Sequence, residues 1–329
     1  MSIHKPAPTD SEDYGSEDQY YVDRFGRHIN NLRIALTQDC CFSCFFCHKE
    51  GEDRTKREIS AEEIELIVKH ASRHGVHNVK LTGGEPLLRK DILEIIRRIS
   101  PHVSDLSITT NGVFLEDMAE DLKEAGLSRV NVSIHSLDPE IYSRITGFDD
   151  LEKVIRGVKR AVDVGLSPVK VNMTIIRGYN EESIEDLMVF ASEIGATLQI
   201  IELQQIPEGD SDRQMELWVD LKPLEEELRE RAIKTEKRST QSRYQHTINL
   251  DSQRSVVVEI VRPMHNTAFC DKCTRLRVTS DGKLKPCLYR LDNMVEIFSC
   301  GDQPEDMDIV EQAFEQAVSK REPYWREGH

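Results

Sequence analysis

Six short apolar segments, rich in β-branched residues, alternate with amphipathic helical segments along much of the chain, and this alternation limits the possible folds. A strand–helix–strand order predicts parallel strands joined by right-handed crossovers. Six repeats suit a partial (β/α)6 barrel resembling a TIM barrel, although periodicity alone leaves a doubly wound open sheet as an alternative. The predicted strands are residues 32–37, 78–81, 105–109, 130–134, 169–175 and 197–202.

Local signals mark the ends of the intervening helices. Ser60 and Glu63 form a capping-box pattern ahead of an apolar helical stripe, which predicts the start of a helix. Glycines just past four helical runs suit the positive φ of a helix C-cap: Gly75, Gly126, Gly165 and Gly195. Farther along, we predict a connector at 207–216, a helix over 221–233, a basic stretch at 234–243, a strand at 255–261, and a helix with a tail in 304–329.

Charge and length bound the class of protein. The 329 residues include 43 Lys and Arg against 59 Asp and Glu, so the net charge is −16. This balance argues against coating nucleic acid or binding an anionic membrane. With no long apolar run and no signal-peptide core, we expect a cytoplasmic protein. We predict a mobile acidic tail over 1–22, a barrel over 23–206 and a C-terminal region over 207–329.

The first cysteine group follows the first predicted strand. Cys40, Cys44 and Cys47 form a C-x3-C-x2-C pattern, and three thiolates on one loop can hold three irons of a [4Fe–4S] cube. The fourth iron then stays open to a cofactor or substrate. Zinc with His48 as a further ligand and a plain electron-transfer cluster are the alternatives. Cys41 is predicted to be a packing residue.

A second group has the same character. Cys270, Cys273 and Cys287 form C-x2-C-x13-C, which again suggests an open cluster, with structural zinc completed by His265 or Cys300 as the alternative. Arg275 and Arg277 lie two apart, so on an extended segment they point the same way. Beside a cluster they would clamp a phosphate; alone they would be a solvated surface pair.

Together these motifs resemble the GTP 3′,8-cyclases, radical S-adenosylmethionine (SAM) enzymes that open molybdenum cofactor biosynthesis. The resemblance runs from about Arg24 to Leu288 and includes TGGEP at 82–86, TTNG at 109–112, RVNVS at 129–133 and FC-x2-C-x-R-x-R at 269–277. It implies a radical SAM barrel whose C-terminal extension carries a second [4Fe–4S] cluster. In the implied reaction, a 5′-deoxyadenosyl radical removes the C3′ hydrogen of GTP, and C3′ then attacks C8 of guanine. The product would be 3′,8-cyclo-7,8-dihydro-GTP.

The resemblance also assigns site residues, while leaving catalysis itself to the cofactors. The cluster that binds SAM is assigned to Cys40, Cys44 and Cys47, and the cluster that binds substrate to Cys270, Cys273 and Cys287. SAM contacts are assigned to Phe46, Gly84, Glu85, Ser133 and Gln204. GTP contacts are assigned to Arg33, Lys80, Thr109, Lys170, Arg275 and Arg277. His135 stands where the family commonly has Asp, and the chain lacks the family's frequent Gly-Gly ending, which with the CHKEGE stretch suggests an archaeal-type member.

The implied partners are GTP, an electron donor such as flavodoxin or ferredoxin, and a downstream enzyme that forms cyclic pyranopterin. A homodimer is a further expectation, and neither nucleic acid nor membrane is expected. Two other functions compete with the cyclase. One is another two-cluster radical SAM enzyme, such as a peptide maturase, and the other is a non-catalytic metal-binding module.

Overall fold

The computed structural model describes residues 20–52, 55, 57–204, 211–237, 243–298 and 307–325. Its strands form one sheet in the order β12-β11-β10-β1-β2-β3-β4-β5-β6-β9-β8-β7. The strands are β1 (Asn31–Ala35), β2 (Asn78–Thr82), β3 (Asp105–Thr110), β4 (Arg129–Ser133), β5 (Lys170–Ile175), β6 (Thr197–Glu202), β7 (Ala232–Lys237), β8 (Tyr244–Asn249), β9 (Ser255–Val261), β10 (Arg275–Val278), β11 (Lys283–Lys285) and β12 (Val295–Glu296). The helices are α1 (Ala61–Arg73), α2 (Ile92–Ile99), α3 (Leu115–Ala125), α4 (Pro139–Thr146), α5 (Leu151–Asp163), α6 (Ile184–Glu193), α7 (Ser211–Leu217), α8 (Lys222–Arg231), α9 (Thr267–Asp271) and α10 (Met307–Ser319).

The order of the parallel strands decides between the two predicted architectures. Strands β1 to β6 are neighbours in chain order and all pair in parallel. Each right-handed crossover therefore moves the chain one strand in the same direction, whereas a doubly wound sheet reverses direction at its centre. The partial barrel is confirmed, and all six predicted strands form.

The C-terminal region extends both edges of this sheet. Strand β9 pairs in parallel with β6, and β10 pairs in parallel with β1. Antiparallel strands then complete each edge. The predicted boundary near residue 206 lies outside the described residues, so the division of the chain stays a prediction. Because β10 lies beside β1, however, the two cysteine groups are brought to neighbouring strands.

Helix α1 illustrates why the local predictions hold. The Glu63 amide donates to Ser60 Oγ at 3.2 Å, and the Ser60 amide donates to Glu63 Oε2 at 2.9 Å, so the capping box is complete. Behind it Ile64, Ile67 and Val68 are fully buried against the outer face of the sheet. No helix in the described ranges is long and apolar enough to cross a lipid bilayer.

Two predicted boundaries are wrong. The mobile tail was expected to reach residue 22, but the Tyr21 ring is buried and stacks on His74 and Phe314, with centroids 4.6 and 5.4 Å away. Residues 1–19 lie outside the described part. The helix predicted over 221–233 ends at Arg231, because Ala232–Lys237 instead forms an edge strand paired with β8.

The inner face of the parallel sheet is polar. Arg33 on β1 lies beside Arg277 on β10 and Lys80 on β2 in the strand register. On the opposite side, Gln199 on β6 lies beside Glu259 on β9. The interior of a closed (β/α)8 barrel is usually filled by branched apolar side chains. The polar interior therefore marks the inside of this barrel as the candidate site.

Candidate functional site

The loop after β1 brings the first cysteine group to the mouth of the barrel. Cys40, Cys44 and Cys47 all line one cavity. Burial and, to a smaller extent, the neighbouring thiols of Cys47 and Cys40 together raise the pKa of the Cys44 thiol to about 12. The three sulfurs are therefore close enough to repel one another as thiolates, and a bound cation would relieve that repulsion.

Cys41 differs from its neighbours. Its side chain is exposed, as are those of Cys40 and Cys47, and accepts a 3.3 Å hydrogen bond from the Asn111 side-chain amide, but unlike those two cysteines it does not line the cavity. The predicted packing role is wrong, since an exposed thiol packs little surface. Its separation from the other three is nevertheless what a three-thiolate site at Cys40, Cys44 and Cys47 requires.

The TGGEP segment braces the cysteine loop. The Gly84 amide donates to the Thr37 carbonyl at 2.8 Å. A Cβ on Gly84 would lie 2.2 Å from the Asp39 carbonyl oxygen, and one on Gly83 would lie 2.4 Å from that of Thr37. Gly83 also has a φ of +130°, which strongly favours glycine. The two glycines thus permit close contact between two backbones at the cavity wall.

Glu85 lies behind this wall. Its carboxylate is fully buried and accepts hydrogen bonds from Thr110 Oγ1 and the Asn111 amide at 2.7 Å and from the Leu87 amide at 3.0 Å. Burial raises its pKa to about 7, against these hydrogen bonds. Glu85 does not line the cavity, which differs from the predicted SAM contact. In this arrangement it ties the TGGEP and TTNG loops together.

The other residues assigned to SAM line the cavity. They are Phe46, Gly84, Ser133 and Gln204. The Phe46 ring meets His135 edge-on, with centroids 5.0 Å apart. His135 Nδ1 accepts from the Thr174 amide at 3.2 Å, which places the ring proton on Nε2. Burial lowers the His135 pKa to about 4, so the ring is a neutral donor at neutral pH.

Three of the residues assigned to GTP form a cationic wall in the same cavity. They are Arg33, Arg275 and Arg277, and Thr109 lines it as well. Burial and, next in size, the charge of Arg277 together lower the pKa of Arg33 to about 10. Arg33 Nε is buried and meets no hydrogen-bond partner within the described ranges. These groups are arranged to receive an anion.

Lys80 and Lys170 are the remaining residues assigned to GTP, and both are buried. Lys80 is in the middle of β2 and donates to Asn131 Oδ1 at 3.0 Å, and neither lysine lines the cavity. Lys170 is the first residue of β5, at the amino end of the strand, and its Nζ lies 2.5 Å from Glu259 Oε2. Lys80 thus lies within its strand and Lys170 at the amino end of its strand, and the structure brings neither to the cavity wall. Their assignment to GTP stays a prediction.

The second cysteine group faces the first across the cavity. Cys270 lies in α9, and Cys273 and Cys287 follow, all three on the cavity wall. Arg27 donates to the Cys270 carbonyl at 2.9 Å and Arg321 to the Cys273 carbonyl at 2.7 Å. Both arginines pair with buried Asp23. Among the zinc alternatives, His265 packs against the Trp325 ring 4.1 Å away, and Cys300 is outside the described residues.

Glu50 is a site residue that the sequence did not single out, although it lies in the CHKEGE stretch. It occupies a 3-10 turn at Lys49–Gly51 with a positive φ of 53°. Its carboxylate lies 2.7 Å from Arg277 Nη1 and accepts from Thr82 Oγ1 at 2.8 Å. Burial opposes the charge, yet Arg277, His48 and Arg33 hold its pKa at about 2. Glu50 thus links the first cysteine loop to the arginine wall.

We expect Glu50→Ala to lower the free energy of unfolding by about 3 kcal/mol, because it leaves a buried guanidinium without its partner. Since the Glu50 pKa falls from 4.5 to about 2 on folding, its contribution is complete above pH 4.5 and is lost as the pH falls toward 2. Urea unfolding under anaerobic conditions at pH 7 and pH 3 measures both effects. Exposed Lys49→Ala is the control, and equal midpoints for the two variants would contradict the prediction.

Comparison with known proteins identifies the family of the chain. Residues 34–191 match the Radical SAM superfamily, and residues 196–327 match Molybdenum Cofactor Synthesis C. The chain is 50% identical over 307 residues to a probable GTP 3′,8-cyclase of Thermococcus kodakarensis, covering 92% of this chain and 99% of the relative. It is 49% identical to a probable GTP 3′,8-cyclase of Pyrococcus horikoshii, covering 92% and 98%.

Solved structures agree on the fold. Streptococcus suis SuiB bound to its precursor peptide SuiA has a TM-score of 0.60 at 18% identity, covering 86% of this chain and 64% of that one. Native anSMEcpe with bound AdoMet has a TM-score of 0.54 at 16% identity, covering 88% and 84%. On the strength of the archaeal relatives, the chain belongs to the GTP 3′,8-cyclase family.

Proposed function

We propose that this chain is a radical SAM GTP 3′,8-cyclase, a lyase that converts GTP to (8S)-3′,8-cyclo-7,8-dihydroguanosine 5′-triphosphate at the start of molybdenum cofactor biosynthesis. One observation carries the proposal: both cysteine triplets and the three arginines line the same cavity. A group that removes a hydrogen atom, bound beside one triplet, and an anionic substrate, bound at the arginines, would then meet inside one barrel. Family membership supports the same reaction.

The donor sets fit two iron–sulfur clusters. Each triplet supplies three thiols on short turns, and a cube takes one thiolate per iron, leaving one iron without a protein ligand. Among the described residues, no group of three or more Cys, His, Asp or Glu side chains is arranged to hold a single metal ion. Arg321, Arg275 and Arg27 lower the pKa of Cys273 despite its burial, which favours its thiolate form. Cys40, Cys44 and Cys47 would hold the cluster with SAM, and Cys270, Cys273 and Cys287 the cluster with substrate.

When bound, the first cluster and SAM supply a radical that removes a hydrogen atom from the nucleotide. The protein's own groups bind and orient. Phe46, Gly84, Ser133 and Gln204 line the part of the cavity next to the first triplet and would position SAM. Arg33, Arg275 and Arg277 would hold the triphosphate through charge-assisted hydrogen bonds, with Thr109 nearby. Fixing both reactants in one geometry is the main contribution a protein makes to such chemistry.

The remaining partners belong to the proposal as well. A one-electron donor such as flavodoxin or ferredoxin would reduce the first cluster, and a downstream enzyme would take the product to cyclic pyranopterin. A homodimer is proposed on the family resemblance alone. A peptide maturase is less well supported, because a wall of three arginines suits a polyphosphate better than a peptide backbone.

Anaerobic turnover tests the proposal directly. Reconstituted protein should contain about eight irons per chain. Incubated with SAM, dithionite and GTP, it should yield 5′-deoxyadenosine together with a cyclised nucleotide of the same mass as GTP, separable by chromatography and mass analysis. Cleavage of SAM without any conversion of GTP would favour another radical SAM activity. About two zincs and no iron would favour the non-catalytic module.

A further inference from the structure

Arg243 reaches the cavity from a part of the chain that the sequence presented only as a basic stretch. It directly precedes β8 and lines the same cavity as Arg33, Arg275 and Arg277. Strand β8 pairs with β9 at one edge of the sheet, whereas β10 belongs to the other edge. Arg243 therefore approaches the cationic wall from the other edge of the sheet.

A buried carboxylate fixes the position of Arg243. Glu259 on β9 is fully buried, and its Oε1 lies 2.8 Å from Arg243 Nη1. The other oxygen, Oε2, contacts Lys170 Nζ. One carboxylate thus anchors two cations from two different strands. A side chain held in this way loses less conformational freedom when it binds a ligand.

The positive charges gathered in the arginine wall favour the binding of an anion. Arg243 lines the cavity together with Arg33, Arg275 and Arg277, and its charge, after burial and the charge of Arg277, lowers the pKa of Arg33. Four guanidinium groups therefore feel one another's charge inside the barrel. Within the described ranges, Glu50 pairs with Arg277 and Glu259 with Arg243. Like charges gathered in a cavity are costly unless a polyanion binds among them.

We propose that Arg243 is a further substrate-binding residue, which contacts the triphosphate of GTP opposite Arg275 and is positioned by Glu259. The inference rests on the proposed function for the identity of the nucleotide. A planar guanidinium offers two parallel N–H donors to one phosphate, which suits it to this contact. The pocket would then surround the phosphates from β1, from β10 and from the β8 edge.

The test is anaerobic equilibrium binding of GTP and of guanosine to reconstituted protein. Arg243→Ala should weaken GTP binding about tenfold or more, since a hydrogen bond to a charged group is lost. Guanosine, which lacks phosphate, should bind to the variant as well as to the wild type. Arg243→Lys should recover part of the GTP affinity. Arg254→Ala is the matched control, because Arg254 is half-exposed and pairs only with Asp251 and Glu193 among the described residues.

A second variant separates folding from binding. Arg243→Ala leaves the buried Glu259 paired with Lys170, and Arg243→Gln in addition keeps a polar side chain beside Glu259 without the positive charge. We expect the Arg243→Gln variant to keep wild-type iron content and SAM affinity and still to bind GTP weakly. Unchanged GTP affinity in both variants, or an equal loss for guanosine, would overturn the inference. Failure of the wild type to bind GTP would instead overturn the proposed function.

Discussion

Replacing Cys40, Cys44 or Cys47 with serine is expected to reduce SAM cleavage to the background of the assay, while Cys41→Ser keeps it. Cys40, Cys44 and Cys47 line one cavity, which Cys41 does not line, and the Cys41 sulfur instead accepts a hydrogen bond from Asn111. A serine hydroxyl is a poor replacement for a thiolate on iron, so losing one ligand should leave the cube incomplete or absent. The measurement is 5′-deoxyadenosine formed per chain after anaerobic reconstitution with dithionite as reductant.

Iron content provides the internal comparison for this series. Each of the three variants should lose about four irons, which is one cube, and should retain those of the second site. Cys41→Ser should match the wild type in iron and in cleavage. If Cys41→Ser loses a cluster, or if one of the three others keeps full cleavage, the ligand assignment is wrong.

The strands of the barrel could be predicted because each carries its own local signal. Lys170–Ile175 and Thr197–Glu202 are short runs of β-branched residues, each preceded by a glycine that ends a helix. The hairpin of β7 and β8 has no such signal. Ala232–Lys237 is almost wholly exposed and carries charged residues, so it lacks the apolar alternation that marks a half-buried strand.

Site residues, too, could be predicted where a recognisable sequence motif carries them and not elsewhere. Residues on a recognisable motif, such as Phe46, Arg275 and Arg277, line the cavity as expected. Glu50 and Arg243 could not be found from a motif, because their roles depend on partners elsewhere in the chain. Glu50 pairs with Arg277, and Arg243 pairs with Glu259. A motif fixes the strand but not which of its side chains reach the cavity, so the sequence could not show that Lys80 and Lys170 lie outside the cavity lining.

Variants of the second cysteine group should separate SAM cleavage from nucleotide cyclisation, which variants of the first group cannot do. Replacing Cys270, Cys273 or Cys287 with serine is expected to lower the yield of cyclised nucleotide by about a hundredfold or more, since the substrate loses its position next to the reacting group. These sulfurs lie on α9 and the turns that follow, and none is on the loop after β1. The first cluster should therefore survive, and SAM cleavage without cyclisation should continue.

Both products are measured in one anaerobic reaction, as 5′-deoxyadenosine and as cyclised nucleotide, on protein whose iron content has been determined. Asp271→Asn is the matched control, because Asp271 is exposed on the same turn, between Cys270 and Cys273. It should keep both products. The variants should release 5′-deoxyadenosine with little cyclised nucleotide, a ratio that general unfolding cannot produce because unfolding removes both. If cleavage and cyclisation fall together while the first cluster is intact, the second group instead supports SAM binding, and the division of labour between the two cysteine groups is wrong.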